Sequence, residues 1–198
     1  MDKIWIKKIR YMIDNIDIFE NFLSPEECDV ILNKCKGELK LSDARVYFDK
    51  SKAAPTKKNR KSSIGWISDL GFLNERLTNK LRETFNINGM EVTGLGNFQF
   101  TEYKEGEYFN WHTDGTDVIF RDRFASIVIQ LNNTYEGGIL EIKNSNGKQV
   151  PIENKIGTLY IFNSRLSHRV TPVLSGVRYS LVNWISLVRT DLKKQNLI

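Results

Sequence analysis

Apolar and polar positions change their period along this chain, and the change divides it in two. Cys28, Ile31, Leu32 and Cys35 recur at i, i+3, i+4 and i+7, the stripe of an amphipathic helix. Its start is marked by Ser24 as N-cap, Pro25 at the first position and Glu27 closing a capping box, and Gly37 is the expected stop. A second stripe, Phe72, Leu73, Leu77, Leu81 and Phe85, predicts a helix over 71–85, followed by a turn at Asn88-Gly89. Beyond that turn the period drops to 2: Phe98 and Phe100 point one way, Gln99 and Thr101 the other. Strands are predicted over 97–103, 108–111, 125–131, 139–142, 148–151, 158–162, 167–170 and 178–187. Upstream, 4–6, 16–19 and 64–67 read as shorter ones, and Tyr135-Glu136-Gly137-Gly138 reads as a strand-entry turn. Short strands joined by Gly- and Asn-rich turns suit a mainly β jelly roll with flanking helices, the N-terminal helices packed on one outer face.

Composition adds limits. A chain of 198 residues is long enough for one core and short for two. A single domain over 1–198 is therefore expected, with helical support to about residue 90 and the jelly roll over about 91–190. No apolar run of about 18 residues exists, so no spanning helix is expected, and charges in Met1-Asp2-Lys3 and Lys7-Lys8 argue against a secretory signal. Cys28 and Cys35 would lie about 10 Å apart on their helix, too far for a disulfide, so both read as small core hydrophobes in a reducing cytoplasm. The net charge of +5 is concentrated in Lys50, Lys52, Lys57, Lys58, Arg60, Lys61 and the tail pair Lys193-Lys194. A polar, lysine-rich loop over 48–63 is the plain reading; a basic rim for an acidic protein surface or nucleic acid is the sharper one. No nucleic-acid module is visible.

The chemistry rests on two histidines, the only two in the chain. His112 and Asp114 are i and i+2, so an extended backbone aims both at one point. A loop His-x-Asp pair would have the same spacing, but His168, brought in from another strand, completes two imidazoles and one carboxylate. That set, with open positions opposite, is the facial triad suited to non-haem Fe(II) activating oxygen. Arg178 follows one strand later, where a buried, permanently charged fork can grip a carboxylate, with Ser180 on the same face.

Tyr103-x-x-Gly106, Trp111-His112-x-Asp114, Gly137-Gly138, Gly157-x-Leu159-x-x-Phe162, His168-Arg169-Val170-Thr171-Pro172-Val173 and Arg178-Tyr179-Ser180 together resemble the 2-oxoglutarate/Fe(II)-dependent dioxygenases. The lead-in from Phe19 to Cys28 is similar to the prolyl 4-hydroxylase-like branch, in its bacterial and phage form. The resemblance implies a double-stranded β-helix (jelly-roll) core. It also implies an enzyme that takes Fe(II), 2-oxoglutarate and O2, with ascorbate as a reductant, and that yields succinate and CO2. His112, Asp114 and His168 would hold the metal, Arg178 the far carboxylate of 2-oxoglutarate, and Tyr103 a further oxygen of it. Gln99, Asn163 and Ser180 are additional donors, and Arg60, Trp111 and Trp184 are candidate substrate contacts.

The implied substrate is a prolyl residue in a peptide or protein, and the 48–63 loop would cover it. A free amino acid or other small molecule is the alternative, and a non-catalytic β-barrel that keeps a metal for stability is a third reading. Two departures stand out. Animal collagen-type prolyl hydroxylases usually carry Lys at the Arg178 position. The family's nucleic-acid demethylases carry a second Arg where this chain has Trp184, which argues against a repair role. Neither membrane nor nucleic-acid partners are expected, and the oligomeric state is left open.

Overall fold

The computed structural model describes residues 16–44, 46–47, 53–54, 59–85, 90–93, 95–115 and 123–189. Its helices are α1 (Pro25–Glu38) and α2 (Phe72–Thr84). Before α2 lie strands β1 (Ile16–Phe19), β2 (Ser42–Asp43), β3 (Val46–Tyr47), β4 (Ala53–Ala54), β5 (Arg60–Lys61) and β6 (Ser63–Ile67). After it come β7 (Met90–Thr93), β8 (Phe98–Tyr103), β9 (Tyr108–His112), β10 (Ala125–Gln130), β11 (Tyr135–Gly137) and β12 (Leu140–Lys143). The last are β13 (Gln149–Pro151), β14 (Leu159–Asn163), β15 (His168–Val170), β16 (Val173–Gly176) and β17 (Arg178–Arg189).

The start of α1 follows its capping box. Ser24 Oγ accepts from the Glu27 N–H at 3.2 Å, and the Glu27 carboxylate accepts from the Ser24 N–H at 2.9 Å. Arg76 of α2 donates to both oxygens of the same carboxylate at 2.7 Å and to the Phe22 carbonyl at 3.1 Å. One side chain therefore closes α1 and ties α2 to it. Gly37 does not stop the helix; α1 runs one residue further and Leu39 caps it, its N–H donating to the Cys35 carbonyl. The expected stripes are buried except at Leu32, which is half-buried against the core, and Phe72, which is 40% exposed. Phe72 opens α2, and its ring lies under the Arg76 guanidinium at 4.9 Å.

A major sheet runs β1-β14-β10-β17-β8-β6-β2, with β7 paired to β17, and a minor sheet runs β13-β12-β15-β9-β5. Strand alternation gives the major sheet two different faces. Phe98, Phe100, Ala125, Ile127, Ile129, Leu159, Ile161, Leu181 and Ile185 pack with the buried stripes of both helices. Val128, Tyr160, Phe162 and Tyr103 join Leu140, Ile142 and Val170 of the minor sheet in a second core. The result is the expected jelly-roll architecture, with helices on one outer face and the space between the sheets left for a site.

The eight predicted strands from 97 onward all form, with ends displaced by a residue or two. The turn expected at 135–138 instead begins with β11, which pairs with β16 through a register shift between Glu136 and Gly137. The predicted strand at 4–6, residues 48–52 and 55–58 of the basic loop, and the 193–198 tail lie outside the described residues. No helix among the described residues is long and apolar enough to cross a membrane.

Cys28 and Cys35 are unpaired and fully buried, and burial pushes their thiols up to about 12 and about 11 respectively. Both should therefore resist alkylation at neutral pH until the protein unfolds, because the thiolate is the nucleophile; mass spectrometry after an iodoacetamide pulse reads this directly. The turn before β14 meets the entry to α1 at Gly157, whose carbonyl accepts from the Leu23 N–H at 3.0 Å. Gly157 has φ +72°, and a Cβ there would stand 2.0 Å from the Leu23 carbonyl oxygen. Gly157→Ala should thus cost more than the ~1–3 kcal/mol of backbone strain alone, seen as a lower urea midpoint with an unchanged slope.

Candidate metal centre and its pocket

β9 ends with His112 and β15 begins with His168, and the two strands pair antiparallel with these residues directly opposite. Opposed side chains on one face lie closest in such a ladder, and the two imidazole centroids are 4.1 Å apart. Asp114 follows two residues beyond His112. Its backbone N–H and that of Gly115 both donate to the Ser164 carbonyl, at 2.8 and 3.1 Å, while the Ser164 hydroxyl donates to the Arg123 carbonyl. A Cβ on Gly115 would stand 2.3 Å from Ser164 Oγ, so the loop closes this tightly only with glycine there. One potential ligand atom from each of His112, Asp114 and His168 lies within 4.8 Å of the others.

The tautomers follow from the acceptors. His112 Nδ1 lies 2.8 Å from the Asn110 carbonyl, and His168 Nδ1 lies 3.0 Å from the Leu166 carbonyl. A carbonyl only accepts, so each Nδ1 carries a proton, and the neutral tautomer this selects leaves Nε2 its lone pair for a ligand. Those Nε2 atoms face Asp114, at 3.7 Å from Oδ1 for His112 and 3.5 Å from Oδ2 for His168. Burial, and then the neighbouring His168, hold the His112 imidazole well below its ordinary range, so it stays neutral. Burial alone would raise the Asp114 carboxyl. Hydrogen bonds from Ser126 and Trp184 favour its charged form, and the balance lies below the ordinary carboxylate value, so Asp114 stays ionised. Phe109 stacks on His112 at 3.4 Å, and Phe162 meets His168 edge-on at 4.9 Å, which fixes both rings.

The cluster opens into a pocket of about 620 Å³ between the sheets. Arg178, 2% exposed, lines it from β17, opposite Tyr103 of β8 in the ladder. One terminal nitrogen of its guanidinium donates to Ser180 Oγ at 3.0 Å, and its buried Nε has no hydrogen-bond partner among the described residues. Among the described residues no carboxylate lies within ion-pair distance of Arg178. A buried cation left this way is costly unless an anion reaches it. Tyr103, 3% exposed, places its ring 5.5 Å from that guanidinium, and Gln99 donates to Thr101 Oγ1 at 3.0 Å on the same wall.

The structure thus brings His112, Asp114, His168, Arg178, Tyr103, Ser180 and Gln99 to one pocket. Asn163 is elsewhere: it does not line the pocket, and its carboxamide oxygen accepts from the Arg165 N–H at 2.9 Å in the turn after β14. Arg60 lines the pocket, buried, with its guanidinium 4.5 Å above the Phe109 ring and its Nε donating to Ser62 Oγ at 2.8 Å. Trp111 also borders the pocket, with Lys143 at 4.3 Å and Arg169 at 4.8 Å from its ring. Trp184 borders the pocket as well, but its indole N–H donates to Asp114 Oδ2 at 2.8 Å. Sequence reasoning missed Ser126, which donates to the same oxygen at 2.7 Å, and the half-exposed Trp66 at the pocket wall. Ser126 had a signal: it is the single hydroxyl in the otherwise apolar run Ala125-Ser126-Ile127-Val128-Ile129.

Comparison with known proteins agrees with this geometry. The family model of the 2OG-Fe(II) oxygenase superfamily matches residues 98–186. A PKHD-type hydroxylase of Shewanella baltica (strain OS185) is 34% identical over 99 residues, 46% of this chain and 44% of that protein. Another from Synechococcus sp. (strain JA-2-3B'a(2-13)) is 32% identical over 102 residues, 47% of this chain and 44% of that protein. The match therefore spans less than half the length of these curated relatives. Among solved structures, a Pseudomonas putida prolyl-4-hydroxylase superposes with TM-score 0.67 at 21% identity, over 90% of this chain and 96% of that one. A Trichoplax adhaerens prolyl hydroxylase, in complex with a hypoxia inducible factor oxygen degradation domain peptide fragment, gives 0.70 at 20% identity, over 100% and 97%. At these identities the structural likeness is one of fold.

Proposed function

From a chain whose residues 98–186 are of the 2OG-Fe(II) oxygenase type, prolyl 4-hydroxylase-like in branch, we propose an Fe(II)- and 2-oxoglutarate-dependent dioxygenase that hydroxylates a prolyl residue in a peptide or protein. The observation that carries this reading is one pocket holding both the His112–Asp114–His168 cluster and the buried Arg178, which has no carboxylate within ion-pair distance among the described residues. A metal kept for stability alone would need no such cation beside it.

The residues fit the implied groups. Two neutral imidazoles and one ionised carboxylate on one side suit Fe(II), and also Mn(II) or Co(II), with positions left open opposite. Bound Fe(II) supplies the oxygen-activating chemistry, using O2 and 2-oxoglutarate and leaving succinate and CO2 as co-products. Arg178 and Ser180 offer charge-assisted donors to the far carboxylate of 2-oxoglutarate. The Tyr103 phenol and Gln99 carboxamide offer neutral ones along the same wall. Ascorbate, as reductant, would sustain turnover. A peptide substrate is supported by the relatives, named as prolyl hydroxylases and in one case holding a peptide fragment, and free buried thiols accord with a cytoplasmic setting.

The test is 2-oxoglutarate consumption with Fe(II), with and without proline-containing peptides, and with free proline as the competing substrate. Peptide-stimulated turnover and one added oxygen atom on the peptide are expected. Stimulation by free proline alone would replace the peptide reading with the small-molecule one. His168→Ala should bind no stoichiometric metal and turn over no 2-oxoglutarate while keeping its circular dichroism spectrum. Losing a buried charge pair costs about 2–5 kcal/mol. Arg178→Ala should therefore raise the apparent KM for 2-oxoglutarate about 30-fold to several thousand-fold, with metal affinity little changed.

A further inference from the structure

We infer that Trp184 and Ser126 are positioning residues that hold Asp114 as a one-oxygen ligand, and that Arg123 strengthens the Trp184 donor. The inference rests on the metal reading of His112, Asp114 and His168 given above.

The two donors are a matched pair. Ser126 of β10 and Trp184 of β17 are directly opposite in the ladder, so both reach from the same face of the major sheet. Both end on one atom, Asp114 Oδ2, at 2.7 Å from the serine hydroxyl and 2.8 Å from the indole nitrogen. A carboxylate oxygen has about two in-plane lone-pair directions, and here both are taken. His168 Nε2 lies 3.5 Å from Oδ2 and His112 Nε2 lies 3.7 Å from Oδ1, and Oδ1, which carries neither the Ser126 nor the Trp184 hydrogen bond, is the oxygen left to meet a metal. The arrangement crosses the molecule. Both histidines belong to the minor sheet, Asp114 stands on the loop just beyond it, and its carboxylate is held by the major sheet. Ser126 and Trp184 therefore set the third ligand's position relative to the other two.

Trp184 also had an expected role as a substrate wall, but its single donor is spent on Asp114. The Arg123 guanidinium lies 3.8 Å from the Trp184 ring centroid. A cation over an indole face draws π density toward itself and leaves the N–H a stronger donor. Trp66, tilted against Trp184 with centroids 6.2 Å apart, touches the ring without that charge and serves as a control.

The test is Co(II) titration of metal-free protein, followed by the d–d absorption of the bound ion, which reports both affinity and coordination number. Trp184→Phe keeps a ring beneath Arg123 and deletes the N–H; Ser126→Ala deletes the other donor. Each should weaken Co(II) binding about 10- to 100-fold and alter the d–d band, as the freed Oδ2 joins the coordination. Circular dichroism should be unchanged, and Trp66→Phe should bind as wild type. Arg123→Gln should weaken binding by a smaller factor in the wild-type background and have no effect in the Trp184→Phe background. Wild-type affinity and an unchanged band in both Trp184→Phe and Ser126→Ala would overturn the inference alone. Absence of Co(II) binding by the wild-type protein, or wild-type binding by His168→Ala, would overturn the metal reading and this inference with it. If Trp184→Phe does not fold, Ser126→Ala decides the matter by the same readout.

Discussion

The antiparallel pairing of β9 with β15 is the contact on which the rest of the site depends. It sets His112 directly opposite His168 and brings two imidazoles from distant parts of the chain to 4.1 Å. Neither histidine has a strong reason to be there by itself, since an imidazole packed among aromatic rings gives up its hydration. The ladder compensates by giving each Nδ1 a backbone carbonyl of its own strand region, at Asn110 and Leu166. The same carbonyls choose the tautomer, so backbone geometry decides which nitrogens face inward. β12 and β5 then flank the pair within the minor sheet and hold its register.

Charge is distributed in the pocket with similar economy. Asp114 stays ionised because its neighbours donate to it, and His112 stays neutral because burial opposes a proton. Arg178 is the counterpart, a permanent cation held by Ser180 and beside the Tyr103 ring, with no carboxylate partner among the described residues. A buried charge in this condition lowers the stability of the protein that carries it. The fold tolerates it because the wall beside it, with Gln99 and Ser180, is polar.

Much of this was legible in the residues, for physical reasons that also explain the failures. Period 2 is a direct imprint of a sheet with two different faces, so the long strands from Phe98 to Arg189 could be read with their ends nearly right. β11 runs into the Gly137-Gly138 pair and its pairing with β16 shifts register at Glu136, so no period-2 run announced the two strands. Gly37 looked like a helix stop, yet α1 runs through it to Glu38 and closes at Leu39, whose N–H donates to the Cys35 carbonyl. Asn163 looked like a donor beside the triad, but residues at strand ends serve local turns as readily as sites, and its partner is Arg165. The convergence of His112, Asp114, His168 and Arg178 on one pocket was legible because their chemistry narrows the choices. Ser126 was not, because a serine in an apolar run has many possible partners until the fold names one.

β17 carries a further consequence. Arg178, Ser180, Val182 and Trp184 line the pocket, while Tyr179, Leu181 and Ile185 pack against the helices from the opposite face. A slip of one residue in its pairing would exchange the two sets completely. It would push a guanidinium and an indole into the oily layer under α1 and α2, and expose leucine and isoleucine to the pocket. Misregistered folding intermediates are thus penalised twice, once for the apolar layer and once for the buried charge. The alignment needed for chemistry and the one needed for folding are a single inherited trait. Sequence drift can alter what the pocket accepts by changing alternate residues of this strand, but an insertion or deletion within it would forfeit both traits together.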